Sequence, residues 1–261
     1  MMRRSVINAD LINANRERER LDQLLHAVNK AAAVLLSPDN KESFETALKD
    51  GMEILADCID VDRVYIWKNE MINGVLCCKQ QIQWLSAIGA QIGFIPREKI
   101  FPYSDFSEWQ ETFSRDECIN GPVRNMSAEI QALLKSWKIQ SLLMIPVHLQ
   151  DNFWGFICFD DCHQERVFSN EEVNILRSAS LMMVNALNRN LQAARIIEAH
   201  ERVQLMLDAT PLCCSLWDKD LNIIQCNEEA IKFFHMKNKQ EFLEKFFELS
   251  RSTSLTGSFL R

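Results

Sequence analysis

The cysteines are the side chains with the widest chemical repertoire in this sequence. There are nine of them, and they are scattered through apolar segments without the regular spacing of a disulfide framework, so we predict reduced thiols. Cys77-Cys78 and Cys213-Cys214 are adjacent pairs, and neighbouring side chains on a strand point in opposite directions, so neither pair could chelate one ion. No CxxC motif occurs. We therefore predict no metal site.

Two kinds of residue could support a cofactor or thiol chemistry. A catalytic thiolate needs a low pKa and a second cysteine within reach. Cys118 follows Asp116 and Glu117, whose charges would raise the pKa of its thiol, which argues against catalysis. His148 at a strand end and His163 in a loop lack the setting of a haem ligand. We predict no catalytic residue, and the cofactor stays unidentified.

Charge and hydropathy exclude two classes of partner. The formal charge is −7, with acidic and basic residues interspersed rather than gathered into a basic stripe, which argues against nucleic-acid binding. No apolar run approaches the roughly 20 residues needed to cross a bilayer, and residues 1–15 lack the apolar core of a signal peptide. The sequence thus predicts a cytoplasmic protein without a membrane partner. Its seven glycines leave little material for a phosphate-binding loop.

The strands that could position a site lie in two predicted hairpins. Residues 61–67 and 75–85 flank Asn73-Gly74, a strong turn signal. Residues 141–149 and 153–160 flank a polar loop at 150–152 and are apolar on both faces, so both faces must be covered. Between the hairpins, residues 89–138 form an irregular excursion containing a turn at Gly121-Pro122. Its predicted helices are at 106–114 and 127–137, with a short strand at 117–120.

Long helices are predicted at both sides of this core. An apolar pattern that repeats every seven residues predicts the first helix. The helix either packs on its own domain or forms a dimer seam. The apolar positions are Ile7, Leu11, Ala14, Leu21, Leu25, Val28, Ala32 and Leu35. A second helix spans 41–58. Ser169 caps a third that has no Gly or Pro until Pro211. About 40 residues at 1.5 Å each exceed what a small domain buries, so its latter part is a connector, with a stutter or a break expected near His200.

Three segments together resemble the C-terminal half of a GAF domain. They are 141–147 (SLLMIPV), 154–161 (WGFICFDD) and 168–172 (FSNEE). Segment 100–105 (IFPYSD) and the preceding helices and hairpin look like the rest of that domain. The resemblance covers about residues 21–190. It implies a sensory domain, and the Asn-Lys-x-Asp-Glu signature of cyclic-nucleotide-binding members is absent.

The segment from Met206 to Leu249 resembles the beginning of a PAS domain. The resemblance rests on 209–211 (ATP), 216–220 (LWDKD) and 224–227 (IQCN), where Asn227 would open a helix. The two resemblances together imply an α+β chain: a central antiparallel sheet with helices on one face and a lid excursion on the other, then a long connecting helix. The predicted divisions are a signalling helix at 1–20, the GAF domain at 21–190, a helical linker at 191–208, a partial PAS domain at 209–249 and a disordered tail at 250–261.

A GAF-like fold implies a pocket between the sheet and the excursion. We predict that this pocket binds an unknown small-molecule ligand through Trp84, Tyr103, Trp109, Met126, Met144, Trp154 and Cys158. The predicted function is the sensory module of a signal-transduction protein such as a sensor histidine kinase, forming a homodimer through its terminal helices. Two alternatives stay open: a dimerisation spacer without a pocket, and a thiol-based reductase of free methionine sulfoxide that uses Cys118.

Overall fold

The computed structural model describes residues 2–36, 44–93, 95–97, 99–220, 222–243 and 245. Contacts divide the chain into two compact units, Met1–Asn190 and Leu191–Arg261. The predicted tail at 250–261 lies outside the described residues. Residues 41–43 of the predicted second helix do so too, as do residues 244 and 246–249 of the predicted partial PAS domain. The division of the chain into five parts stays a prediction.

The first unit is built on one six-stranded antiparallel sheet. In spatial order its strands are β3, β2, β1, β6, β5 and β4. In chain order they are β1 (Arg63–Ile72), β2 (Val75–Leu85), β3 (Ile100–Pro102), β4 (Ile119–Pro122), β5 (Ser141–Leu149) and β6 (Asn152–Asp161). The predicted α+β architecture is therefore confirmed, with both predicted hairpins inside one sheet.

The two hairpin turns follow from local backbone chemistry. Asn73 and Gly74 have φ of 50° and 81°, and Gln150 and Asp151 have φ of 50° and 62°. Positive φ at both central residues suits the right-handed twist of paired strands. The second loop is thus two residues rather than three, because Asn152 already belongs to β6.

The edge strand β4 corrects one expectation. Gly121 and Pro122 were predicted to form a turn, but they pair with Leu142 and Ser141 of β5. Proline lacks an N–H and is tolerated at the edge of a sheet. The short strand predicted at 117–120 therefore lies two residues further along the chain.

Helices cover one face of the sheet and the excursion covers the other. The described helices are α1 (Met2–Leu36), α2 (Phe44–Ile59), α3 (Ala87–Ile92), α4 (Ser107–Ser114), α5 (Ala128–Ser136), α6 (Asn170–Asp208) and α7 (Glu228–Phe233). Helix α2 packs on β1 and β2, and α1 packs on α2. We call residues 86–140, which contain α3, β3, α4, β4 and α5, the lid.

The buried residues described in helix α1 are not those of the predicted heptad pattern. Leu24, Ala27 and Ala31 are buried, whereas Leu11 and Leu25 of the predicted pattern are 61% and 47% exposed. Both Ala31 and Leu35 lie beside Gly51 of α2, where an added Cβ would make ordinary contacts at 3.8 Å. Leu35 of the predicted pattern therefore packs within the domain, whereas Leu11 and Leu25 stay free for a seam.

Helix α6 begins with a reciprocal cap and continues without interruption. The Ser169 hydroxyl accepts from the Glu172 N–H at 3.2 Å, and a Glu172 carboxylate oxygen accepts from the Ser169 N–H at 2.8 Å. The predicted cap is confirmed. Helix α6 is continuous from Asn170 to Asp208, so the helix does not break near His200, and the alternative of a stutter in its apolar pattern stays a prediction.

The second unit contains a small hairpin and a capped helix. Strands β7 (Ser215–Trp217) and β8 (Ile223–Cys226) pair antiparallel. The Asn227 side chain accepts from the Ala230 N–H at 3.1 Å and so caps α7, as expected. The same side-chain oxygen accepts from the Cys214 N–H at 3.0 Å, which ties the start of β7 to the end of β8.

Candidate functional site

A small cavity lies between the sheet and the lid. It offers about 30 Å³ to the centre of a water-sized sphere. Its walls are almost entirely aromatic and aliphatic, and they comprise Tyr65, Trp67, Cys78, Ile95, Phe101, Phe106, Trp109, Leu133, Leu134, Trp137, Ile139, Leu142, Met144, Phe156, Cys158 and Asp160. Since a buried water needs about 10–15 Å³ by this measure, the space holds only a few atoms.

Strand alternation sets the sheet wall of the cavity. Tyr65 and Trp67 point to one face of β1, and Cys158 and Phe156 are their partners on β6. Val64 and Ile66, one position out of phase, are fully buried on the opposite face. Trp67 and Phe156 stack at a ring-centroid distance of 5.9 Å.

The lid supplies the facing aromatic wall. Phe106 stacks on Trp109 with ring centroids 4.9 Å apart, and Phe101 meets Trp137 edge-on at 5.6 Å. Lys99 places its Nζ 5.3 Å from the Phe101 ring centroid and 5.7 Å from that of Trp137. Cation–π attraction at these distances helps to hold the two rings together.

The predicted site residues divide into three groups. Trp109, Met144 and Cys158 line the cavity. Tyr103 and Met126 pack in the same apolar cluster without lining it, and the Tyr103 hydroxyl donates to Asn69 Oδ1 at 2.9 Å.

Two predicted site residues lie on the helix side of the sheet instead. Trp84 pairs with Val64, one position out of phase with the cavity wall. Trp154 donates from Nε1 to Asn188 of α6 at 3.3 Å. A regular register from the Asn73-Gly74 turn would pair Trp84 with Arg63, in phase with Tyr65, and the irregularity between Ile66 and Trp67 moves it to the other face.

Sequence reasoning missed the polar end of the cavity. Cys158 Sγ donates to Asp160 Oδ1 at 2.6 Å, and both side chains are buried. Burial raises the pKa of Asp160 to about 6, against the lowering influence of the Cys158 hydrogen bond and the Arg63 charge. Burial also raises the pKa of the Cys158 thiol well above its ordinary value, and the neighbouring Asp160 adds to the rise.

Arg63 carries a fully buried charge beside this end of the cavity. Its side chain is 0% exposed, and Nη1 donates to the Trp137 carbonyl at 3.0 Å. Nε and Nη2 have no hydrogen-bond partner among the described residues. The buried Tyr65 hydroxyl likewise has no acceptor for its proton within the described part of the chain. Arg63 follows Asp62 at the very start of β1, so the local sequence gives no sign that its charge is buried.

A second polar cluster joins β1 to the loop after β6. His163 Nδ1 lies 2.8 Å from Asp62 Oδ2 and 3.2 Å from Asp161 Oδ1. The hydrogen bond to Asp62 raises the pKa of His163, and the negative charges of Asp161, Asp62 and Asp60 add to the rise.

The atoms of this second cluster could meet around an ion, but they are already engaged. The ligand atoms of Asp62, Asp161 and His163 lie within 4.8 Å of one another. Asp62 Oδ2 accepts from the Cys162 N–H at 2.7 Å, and Asp161 Oδ1 accepts from the Gln164 N–H at 2.9 Å. Arg166 Nε lies 3.0 Å from Asp161 Oδ2. We call this cluster of Asp62, Asp161 and His163 the clasp, because it holds the start of β1 to the loop after β6.

Cys118 has the raised pKa that the sequence predicts. Burial is the largest cause, Asp116 adds to the rise, and the Arg177 charge opposes it. Arg177 Nη2 lies 3.1 Å from Cys118 Sγ. A protonated thiol is a poor nucleophile, so this setting disfavours thiolate catalysis.

The family model for the GAF domain matches residues 43–187. This chain belongs to the GAF domain family. GAF domains are sensory ligand-binding domains rather than catalytic ones, and the match spans the sheet and its lid.

A curated relative is the Methanogenesis regulatory histidine kinase FilI of Methanothrix harundinacea (strain 6Ac). It is 29% identical over 196 residues, which make up 75% of this chain and 22% of that protein. The chain thus spans about a fifth of the length of the relative. None of the helices in the described residues has both the length and the apolar character that a membrane span requires.

Solved structures of bilin-bound GAF domains share the fold. A phycocyanobilin-bound GAF domain from a cyanobacterial phytochrome has a TM-score of 0.50 and 13% identity, covering 66% of this chain and 96% of that one. A phycoerythrobilin-bound GAF domain has the same TM-score and identity, with coverages of 64% and 94%. At this identity the likeness concerns the fold alone.

Proposed function

We propose that this chain is the sensory input region of a signal-transduction protein whose output is a histidine kinase. The GAF domain binds a small ligand between sheet and lid, and α6 relays the change. The observation that carries the proposal is a direct link between lid and helix: Asn120 of β4, within the lid, hydrogen-bonds to Phe168, two residues before α6 begins.

The link consists of several hydrogen bonds. Asn120 Nδ2 donates to the Phe168 carbonyl at 2.8 Å, and Asn120 Oδ1 accepts from the Phe168 N–H at 3.0 Å. Two turns into α6, Arg177 donates to the Asp116 carbonyl at 3.0 Å and to its carboxylate at 2.9 Å. A ligand that favours one lid position would therefore bias the start of α6 by its differential affinity.

The relative supports the choice of output. FilI is a regulatory histidine kinase, and a region similar to 75% of this chain makes up 22% of it. A helix that is continuous from Asn170 to Asp208 is a suitable connector to such an output. The segment at 209–249 would be the beginning of a PAS domain, and the protein would act in the cytoplasm without nucleic-acid or membrane partners.

A homodimer through the terminal helices completes the proposal. Leu11, Ile12 and Leu25 of α1 are exposed although they are large and apolar. Ile196 and Ile197 of α6 are exposed as well. A second copy of the chain would cover these side chains and give α6 a partner helix to move against.

One observation favours a second candidate function. A cavity of about 30 Å³ is a nearly filled core, whereas sites for drug-sized ligands span about 300–1,000 Å³. A GAF domain that binds nothing could serve as a dimerisation spacer. A thermal-shift screen separates the two, since a ligand raises the melting temperature with its concentration and a spacer responds to none.

The decisive experiment cuts the lid–helix link in the full-length signalling protein. In Asn120→Ala, we expect ligand-induced thermal shifts to persist while ligand no longer changes autophosphorylation. Asn185→Ala is the matched control, because among the described residues the Asn185 side chain bonds within α6 alone, to the Leu181 carbonyl. A ligand response in Asn120→Ala equal to that of the control would refute relay through this link.

A further inference from the structure

The cavity ends in two buried polar side chains, those of Tyr65 and Asp160. The Tyr65 hydroxyl forms part of the wall and has no acceptor among the described residues, although it is buried. Asp160 also lines the cavity, with Oδ1 taken by Cys158. Unpaired buried polar groups cost stability, so a core that keeps them calls for an explanation.

The opposite charges of Arg63 and Asp160 at this end of the cavity favour a ligand whose polar group is uncharged. Arg63 and Asp160 are cross-strand partners on β1 and β6, and both are buried. A ligand carboxylate would meet the Asp160 side chain in the cavity wall. A ligand ammonium would meet the buried Arg63 guanidinium close behind it. A group that donates to Asp160 and accepts from Tyr65 satisfies both without adding charge.

The volume selects a small molecule. About 30 Å³ corresponds to roughly two to three non-hydrogen atoms when one water needs about 10–15 Å³. The remaining wall is apolar, with Trp67, Trp109 and Trp137 among its members. The ligand therefore combines a short apolar body with one group that both donates and accepts.

We propose that this cavity binds a short uncharged alcohol, whose hydroxyl donates to Asp160 and accepts from Tyr65 while its carbon chain contacts the tryptophan rings. The proposal rests on the proposed function and names the ligand class of the same site. At a ceiling of about 1.5 kcal/mol per non-hydrogen atom, an alcohol of three such atoms has a dissociation constant no lower than about 0.5 mM.

Tryptophan side-chain NMR tests the proposal on the intact chain. Ethanol and 1-propanol should produce saturable shifts in the indole N–H signals of Trp67, Trp109 and Trp137. Trp84, Trp154 and Trp217 lie outside the cavity wall and serve as internal references for solvent effects. Acetate and ethylammonium, of similar size but charged, should leave all six signals unchanged, and 1-hexanol should bind at least tenfold more weakly than 1-propanol.

Two variants connect the binding to the named atoms. Tyr65→Phe removes a hydroxyl that has no acceptor, so the melting temperature should be retained while ethanol affinity falls about fivefold. Leu133→Phe adds bulk to a half-buried position in the cavity wall and should abolish the response.

Three results would overturn the proposal: unchanged cavity signals with both alcohols, equal ethanol affinity in Tyr65→Phe, or equal binding of acetate. Each of them leaves the relay through Asn120 to be judged by autophosphorylation. Failure of the alcohol assignment and failure of the sensory function are therefore distinguishable.

Discussion

At the scale of single residues, His163 shows how one side chain can make the stability of this domain depend on pH. It bridges Asp62 at the start of β1 and Asp161 at the end of β6, and its hydrogen bond to Asp62 raises its pKa. A histidine whose folded pKa exceeds the ordinary value of about 6.5 stabilises the fold fully below that value. This contribution is lost as the pH rises through the folded pKa.

We expect wild type to lose more stability than His163→Gln between pH 6 and pH 8.5. Because the side chain is 37% exposed, the difference should be under about 1 kcal/mol. Urea unfolding at both pH values measures it. His200→Gln, at an exposed position in the middle of α6, is the control and should follow wild type. Parallel behaviour of wild type and His163→Gln would contradict the clasp.

Only the apolar part of the cavity wall could be predicted from the types of single residues. Trp109, Met144 and Cys158 could be chosen because aromatic and sulfur-containing side chains fill such pockets. The polar end could not, because pairing Arg63 with Asp160 requires the β1–β6 register, and nothing local in either strand specifies it. Long-range register decides which alternate positions share a face.

At the scale of elements, β6 contains a glycine whose lack of a side chain is required by the neighbouring strand. Gly155 has φ of 156°, and a Cβ at this position would overlap the Trp67 carbonyl oxygen on β1. Gly74 in the first hairpin turn also has positive φ, at 81°, but has no atom near its missing Cβ. A substitution at Gly74 therefore tests the effect of positive φ alone, and one at Gly155 tests the effect of steric overlap as well.

Gly155→Ala should destabilise the domain by about 3 kcal/mol, because the backbone of β1 or β6 must move. Gly74→Ala should cost about 1 kcal/mol, the expense of positive φ alone. Guanidinium unfolding of both variants gives the comparison. Equal losses would mean that the close approach of β6 to β1 is not tight.

Asn227 is the corresponding element-scale feature of the second unit. Its Nδ2 donates to three backbone carbonyls, those of Leu207, Thr210 and Leu212, at 2.7–3.2 Å. The sequence predicts its role as a helix cap, which is a local pattern. Its bonds to residues 15–20 positions earlier are not local, and only the folded unit brings those carbonyls within reach.

We expect Asn227→Ala to unfold the region around β7, β8 and α7, since it leaves several backbone groups of the unit without their partner. Hydrogen exchange should show protection lost across residues 212–236 and retained in β1, β5 and β6. Asn222→Ala, whose side chain bonds only to Asp218 in an exposed turn, is the control. Retained protection in Asn227→Ala would contradict the role of this residue.

At the scale of the whole molecule, apolar side chains on α1 point away from the domain that α1 helps to build. The sequence left two uses of this helix open, packing on its own domain or pairing with another copy. The separate stripes of Leu24, Ala27 and Ala31 on one side and Leu11 and Leu25 on the other allow both. A heptad pattern alone cannot divide apolar positions between two partners.

Leu11→Glu combined with Leu25→Glu should convert a concentration-dependent dimer to a monomer, because a charge in an apolar seam is not compensated. Sedimentation velocity at several concentrations measures the change. Ile88→Glu places the same charge at an exposed apolar residue of α3 and should leave the dimer intact. A monomeric wild type, or a dimer that survives both substitutions, would exclude this seam.

Arg63 also bears on how this domain could be engineered. Two nitrogens of the buried Arg63 guanidinium have no partner among the described residues, and Arg63 lies opposite the buried Asp160. Replacing both residues by apolar side chains of similar size should raise thermal tolerance, whereas removing Arg63 alone would leave Asp160 as an uncompensated buried charge. The double substitution would also remove the two groups that discriminate against charged ligands. Selection for heat resistance alone would thus tend to erase ligand recognition, a conflict that functional sites commonly carry.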